Sequence, residues 1–184
     1  MLVNKLLLAA GITVLLISTV VNAVMIRENR RLVSLASAFR GQLVLSEGDQ
    51  LPPLAGVDLN GKSIVVDSKN EIPTVLFVFS PSCSVCLKNW QNWDSILSSE
   101  SRSRWRPVFI DAGGNANSDF LQTHGLPRYA VVEDVTKETF LSYRLFSTPQ
   151  TIVLSRDGKV NFIWGGALSH GAMGDLSQIL ASKN

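Results

Sequence analysis

The sequence predicts an α/β domain, a mixed sheet flanked by helices and opened by an N-terminal β-hairpin, behind one N-terminal transmembrane helix. Three observations carry this expectation. Strand and helix signals alternate from Leu51 onward. Two short turns, Asn60-Gly61 and Arg156-Asp157-Gly158-Lys159, each join a pair of strand-like segments. An uncharged apolar run lies at the N-terminus, and no other part of the chain has one like it.

That run, Leu6–Ile26, is preceded by Lys5 and closed by Arg27. At about 1.5 Å of rise per residue, a helix of this length matches a hydrocarbon core of roughly 30 Å. A cleaved signal peptide has a shorter apolar core, about 7–15 residues, and a small-residue cleavage site. Here the run ends in Val24-Met25-Ile26-Arg27, which favours an uncleaved anchor. The chain divides into an anchor over 1–26, a connector over 27–50 and a folded domain over 51–184. In the connector Leu32, Leu35 and Phe39 recur at helical spacing, as in a short amphipathic helix continuing from the membrane. Lys5 on one flank, against Arg27, Arg30 and Arg31 on the other, leans weakly toward a cytoplasmic domain.

Within the domain, Val57–Leu59 and Ser63–Val66 form the first hairpin, because Asn-Gly supplies the positive φ angles of a tight turn. Thr74–Phe79 is a continuous apolar run of β-formers, as in a strand buried on both faces. Cys86, Trp90, Trp93 and Leu97 then fall on one face of a helix. Pro107–Asp111 reads as a second buried strand, and a short helix follows from Ser118-Asp119 toward His124, ended by Gly125. Tyr129–Val132 is a third strand and Thr136–Leu145 a helix. The strands Thr151–Leu154 and Val160–Trp164 make a second hairpin, and a helix through Asp175–Leu180 closes the chain.

The formal net charge of +2 and the scattered basic residues exclude the electrostatic footprint of a nucleic-acid binder. The chain has two cysteines, Cys83 and Cys86, separated by two residues. A disulfide stabilises mainly by closing a long loop, so this spacing serves chemistry rather than stapling. The pair stands where a buried strand gives way to a helix. Unpaired N–H groups at a helix start favour the thiolate of Cys83, the expected nucleophile, while Cys86, one turn in, is the expected resolver of a mixed disulfide. A zinc site is disfavoured because only His124 and His170 remain as partners, far apart in sequence; a copper site would want a longer cysteine spacing. Each histidine alone reads as an exposed loop or helix-end residue. Thr148-Pro149, just before a strand, is the expected site of a cis peptide bond; in redox folds of this kind such a backbone lies beside the dithiol and pairs with an extended substrate segment.

These residues resemble the thioredoxin superfamily, and within it the membrane-anchored TlpA/ResA type of thiol–disulfide oxidoreductase. The likeness runs from Gly48 to the C-terminus. It rests on Gly48-Asp49-x-Leu51-Pro52, the Asp58–Lys62 turn, the dithiol, Thr148-Pro149 and Ser155–Lys159. The strand and helix between Tyr129 and Leu145 are similar to the insertion of that type. Phe79–Cys86 also resembles MauD, an accessory protein of methylamine dehydrogenase maturation. The resemblance implies an extracytoplasmic domain that exchanges disulfides with client proteins. It further implies a redox donor or acceptor protein as second partner, the membrane as anchor, and no cofactor beyond the Cys83–Cys86 couple. The departures are Ser82 where a tryptophan is usual, Phe77 where thioredoxin buries an acid, and Ser84-Val85 between the cysteines. Two other readings stay open: a thiol peroxidase, for which Leu76 and Ser80 only approximate the Pro-x-x-x-Thr-x-x-Cys loop, and a non-catalytic binding or chaperone module.

Overall fold

The structure is a computed structural model that describes residues 2–182; the side chains of residues 2–10, 13, 35–42 and 101 lie outside that description. Two compact units are formed, Met1–Leu43 and Val44–Asn184. The first is one helix, α1, over Leu2–Leu43. It passes from the expected anchor into the expected connector without interruption. Among the described residues no helix is long and apolar enough to cross a membrane. The span expected over Leu6–Ile26 is therefore not found there, and the side chains of residues 6–10 and 13 fall outside the description. Of the connector's helical stripe, Leu32 is exposed, and the side chains of Leu35 and Phe39 are likewise outside it.

The second unit holds a β-hairpin and a five-stranded mixed sheet. Strands β1 (Leu54–Val57) and β2 (Ser63–Val66) pair antiparallel. The first strand lies earlier than the turn signal implied, because Asp58 is spent on the turn itself. Its Oδ1 accepts from Asn60 N and Lys62 N, both at 2.9 Å, and Gly61 takes φ 74°.

Strand β3 (Thr74–Phe79), β4 (Arg106–Asp111), β5 (Ala130–Val132), β6 (Gln150–Leu154) and β7 (Val160–Gly165) form the sheet in the order β5-β4-β3-β6-β7. β3, β4 and β5 are parallel, whereas β6 and β7 add antiparallel. Every residue of β3 is buried, as a central strand covered on both faces requires. Because side chains alternate, Val75, Phe77 and Phe79 enter one core with Trp90, Trp93 and Phe109, while Leu76 and Val78 enter another with Ile110 and Tyr143.

The helices are α2 (Ser84–Leu97), α3 (Ser118–Thr123), α4 (Lys137–Ser142) and α5 (His170–Ala181). Their caps set their limits. Asn117 rather than Ser118 caps α3, accepting from Phe120 N at 2.8 Å. Thr136 caps α4, and Arg144, at φ 49°, prevents it from reaching Leu145. Ser169 caps α5, which starts a full turn before the Asp175 expected from the sequence. Trp93 secures α2 to β6 through a buried bond from Nε1 to Thr151 Oγ1 at 2.9 Å.

Candidate functional site

Parallel β3 and β4 end side by side at Phe79 and Asp111, and the chain turns from β3 directly into α2. The turn is closed by Cys83 N–H donating to the Ser80 carbonyl at 3.0 Å. Cys83 itself is the N-cap of α2, at φ −85° and ψ 107°, and its sulfur accepts from Cys86 N–H at 3.2 Å. A helix leaves its first N–H groups unpaired, so the sulfur that receives one of them also meets the positive end of the helix dipole. Both cysteines are free thiols; Cys83 is half-buried and Cys86 fully buried.

The second expected element arrives at the same place. The Thr148–Pro149 bond is cis, as the sequence led us to expect. The Thr148 carbonyl accepts from Cys83 Sγ at 3.5 Å, which brings three of the four expected site residues into direct contact. Pro149 is buried behind them and its carbonyl accepts from Gly166 N at 2.8 Å.

The two thiols differ in acidity. Burial pushes Cys83 up, but hydrogen bonds from the Cys86 thiol, the Thr148 hydroxyl and the backbone amides of Cys86 and Val85 outweigh it, and the net shift is downward. Burial pushes Cys86 up to about 11, helped by its hydrogen bond with Cys83 and opposed by the backbone amide of Ser80 and by Thr148. Cys83 is thus the more exposed and the more acidic of the two thiols, and Cys86 the more sheltered and the less acidic.

Phe77, on the strand that leads to the pair, is fully buried. It packs against Phe109 at 4.9 Å and Trp93 at 5.4 Å between ring centroids. The sequence reading named Ser80 only against the peroxidase loop, and it gave no site role to Asp111, Gly113 or Asn89. Asn89 is fully buried one turn beyond Cys86 and accepts from Leu168 N at 2.8 Å, tying α2 to the segment before α5. His124 is less simple than expected. It ends α3, but it is half-buried, its ring 4.0 Å from that of Trp90 and 4.6 Å from that of Phe120, and burial lowers its pKa. Among the described residues no three His, Cys, Asp or Glu side chains are grouped to hold a metal ion. A cavity of about 760 Å³ lined by Trp105, Val153, Leu180 and Arg156 includes neither cysteine and is separate from this site.

Solved structures share this architecture. The DsbE-type thiol:disulfide interchange protein of Chlorobium tepidum, itself described as putative, superposes with a TM-score of 0.58 at 19% identity, over 74% of this chain and 97% of that one. The thioredoxin domain of a thiol-disulfide oxidoreductase from Bacteroides vulgatus gives 0.59 at 14% identity, over 74% and 99%. A peroxiredoxin-like protein from Aquifex aeolicus gives 0.58 at 13% identity, over 74% and 88%. The fold is thioredoxin-like. No family model matches the chain, and no curated protein matches it in sequence.

Proposed function

We propose that this protein is a thiol–disulfide oxidoreductase that exchanges disulfides with client proteins, with Cys83 as nucleophile and Cys86 as resolving thiol. The observation that carries the reading is the contact set at Cys83. A half-exposed sulfur caps a helix, receives the Cys86 amide, and lies 3.5 Å from the carbonyl that precedes a cis-proline. Thr148 offers backbone to an extended client segment, and Pro149 shapes the loop that presents it. Structural neighbours that are themselves thiol–disulfide oxidoreductases support the same chemistry.

The location belongs to the same proposal. Leu6–Ile26 carries no charge, and α1 exposes Leu15, Leu16, Val20, Val24 and Met25 among others. We read this helix as a membrane tether holding the domain outside the cytoplasm, where disulfides persist. Likeness to the TlpA/ResA type, and more narrowly to MauD, supports maturation of an extracytoplasmic protein as the task. A peroxidase reading has the Aquifex neighbour in its favour. Against it, Leu76 lies fully buried within β3, where the peroxidase loop would need a proline.

Trapping tests the reading. Cys86→Ser should leave a client joined to Cys83 as a stable mixed disulfide, visible on a non-reducing gel and released by reductant. Absence of any such adduct, with rapid peroxide consumption by the wild-type protein, would replace exchange with peroxidase chemistry.

A further inference from the structure

Strand β6 opens on Gln150, a polar side chain only 6% exposed. Its amide nitrogen donates twice, to the Ser147 carbonyl at 2.8 Å and to the Arg144 carbonyl at 3.2 Å. Only an N–H can donate to a carbonyl, so the two acceptors decide which end of the amide faces them. A buried amide bonded in this way also restrains its partners, because parting from them would leave polar groups unanswered away from water.

What it restrains is the segment that leads to the dithiol. Ser147 stands immediately before Thr148, whose carbonyl accepts from Cys83 Sγ at 3.5 Å. Phe146 and Ser147 are exposed, and among the described residues neither they nor Thr148 take part in a backbone–backbone hydrogen bond. Backbone that is to pair with a client must keep its own donors and acceptors unspent, so a sheet ladder cannot be what fixes this loop. Gln150 fixes it from behind. At the other end of the segment Arg144 is anchored in turn, its guanidinium donating to Asp49 Oδ2 at 3.0 Å and to the Val44 carbonyl.

We propose that Gln150 is a positioning residue for client capture: its amide sets the loop so that Thr148 offers its backbone beside Cys83 before a client arrives. This rests on the exchange reading given above. In the step concerned, the Cys83 thiolate attacks a client disulfide. The Cys83–client bond forms, the client's own sulfur–sulfur bond breaks, and the departing client sulfur keeps the electron pair and takes a proton. Gln150 touches none of these atoms. A loop already in its bound form loses less freedom when an extended segment pairs with it, so Gln150 matters to a peptide and not to a small reagent.

The test compares two reactions of the same thiol in the reduced full chain: capture of a fluorescent disulfide peptide, and alkylation of Cys83 by iodoacetamide. Gln150→Leu should slow capture about tenfold, the effect of one lost hydrogen bond, and leave alkylation within about twofold of the wild-type rate. Gln150→Glu keeps the shape but turns an ionised acceptor toward two carbonyls, and only its protonated form can donate. Its ratio of capture to alkylation should therefore be low near pH 8 and climb toward the wild-type ratio as the pH falls to about 6. The wild-type ratio should stay level, since both reactions use one thiolate. If Gln150→Leu does not fold, the Gln150→Glu ratio decides alone, and a level ratio overturns the inference. Equal slowing of both reactions overturns it too, as does a wild-type ratio in both variants while the wild-type chain exchanges normally. A wild-type chain that is alkylated but captures no peptide overturns the exchange reading, and this inference with it.

Discussion

Cys83 and Cys86 are three residues apart on the same helix, yet their surroundings are opposed. At Cys83 the sulfur is half-exposed, replaces a side-chain oxygen as helix cap, and receives hydrogen bonds that draw its pKa down. At Cys86 the side chain is fully buried in the cluster that also holds Phe79, Trp90 and Trp93, and burial drives its pKa up to about 11. Identical side chains meet two environments because three residues at the start of a helix, about 4.5 Å of rise, cross from the solvent edge of the sheet into its core. Reactivity here is a matter of depth and of which amides remain unpaired.

The largest effect should come from removing the shallow thiol. Cys83→Ser is expected to abolish exchange with any client while leaving the circular dichroism spectrum and melting transition in place, because serine is itself a good N-cap. A variant that still exchanges would assign attack to Cys86 and invert the contrast.

The next effect is graded by pH. Cys83 is shifted below the ordinary thiol value of 9.0, so its thiolate persists to lower pH. The rate of Cys83 alkylation should therefore level off below pH 9 and decline as acidification carries the solution through its lowered pKa. Cys86 should still be gaining reactivity as the pH approaches 11. Mass spectrometry after a limiting dose of alkylating reagent measures both; earlier labelling of Cys86 would erase the distinction between the two turns.

A smaller effect should follow deeper in the helix, and it should concern stability alone. Asn89→Ala removes the acceptor of Leu168 N–H and leaves a buried donor unpaired, at a cost of about 1–3 kcal/mol. The denaturant midpoint should fall, and the alkylation profile of Cys83 should not move. A change in that profile would show that the lower part of α2 also tunes the thiol.

Much of this arrangement could be read from the chain because its signals were local. Thr74–Phe79 is a strand by composition alone, and it falls on the observed β3 residue for residue. Two cysteines at a strand–helix boundary, and a Thr-Pro before a later strand, marked three elements that do meet in space. Helix and strand limits were less legible, since they depend on single side chains, such as Asp58 consumed by its turn or Asn117 chosen over Ser118 as a cap. Asp111 was invisible for a different reason. Its partners are backbone amides, which every sequence supplies, and only the fold shows which of them converge on it. The ring packing that half-buries His124 likewise depends on α2 and α3 meeting, which no spacing within either helix records.

The capping sulfur has one more consequence. A thiolate accepts the Cys86 amide well, but a sulfur bonded to another sulfur accepts it poorly. In the proposed cycle, then, α2 loses its cap whenever a client is attached and regains it when the dithiol is reduced. The first turn becomes the loosest part of the helix at the moment Cys86 must move toward Cys83. Redox state would thereby be written into the exchange of one backbone hydrogen with water, slower at Cys86 N–H while Cys83 is reduced and faster once Cys83 is joined to another sulfur.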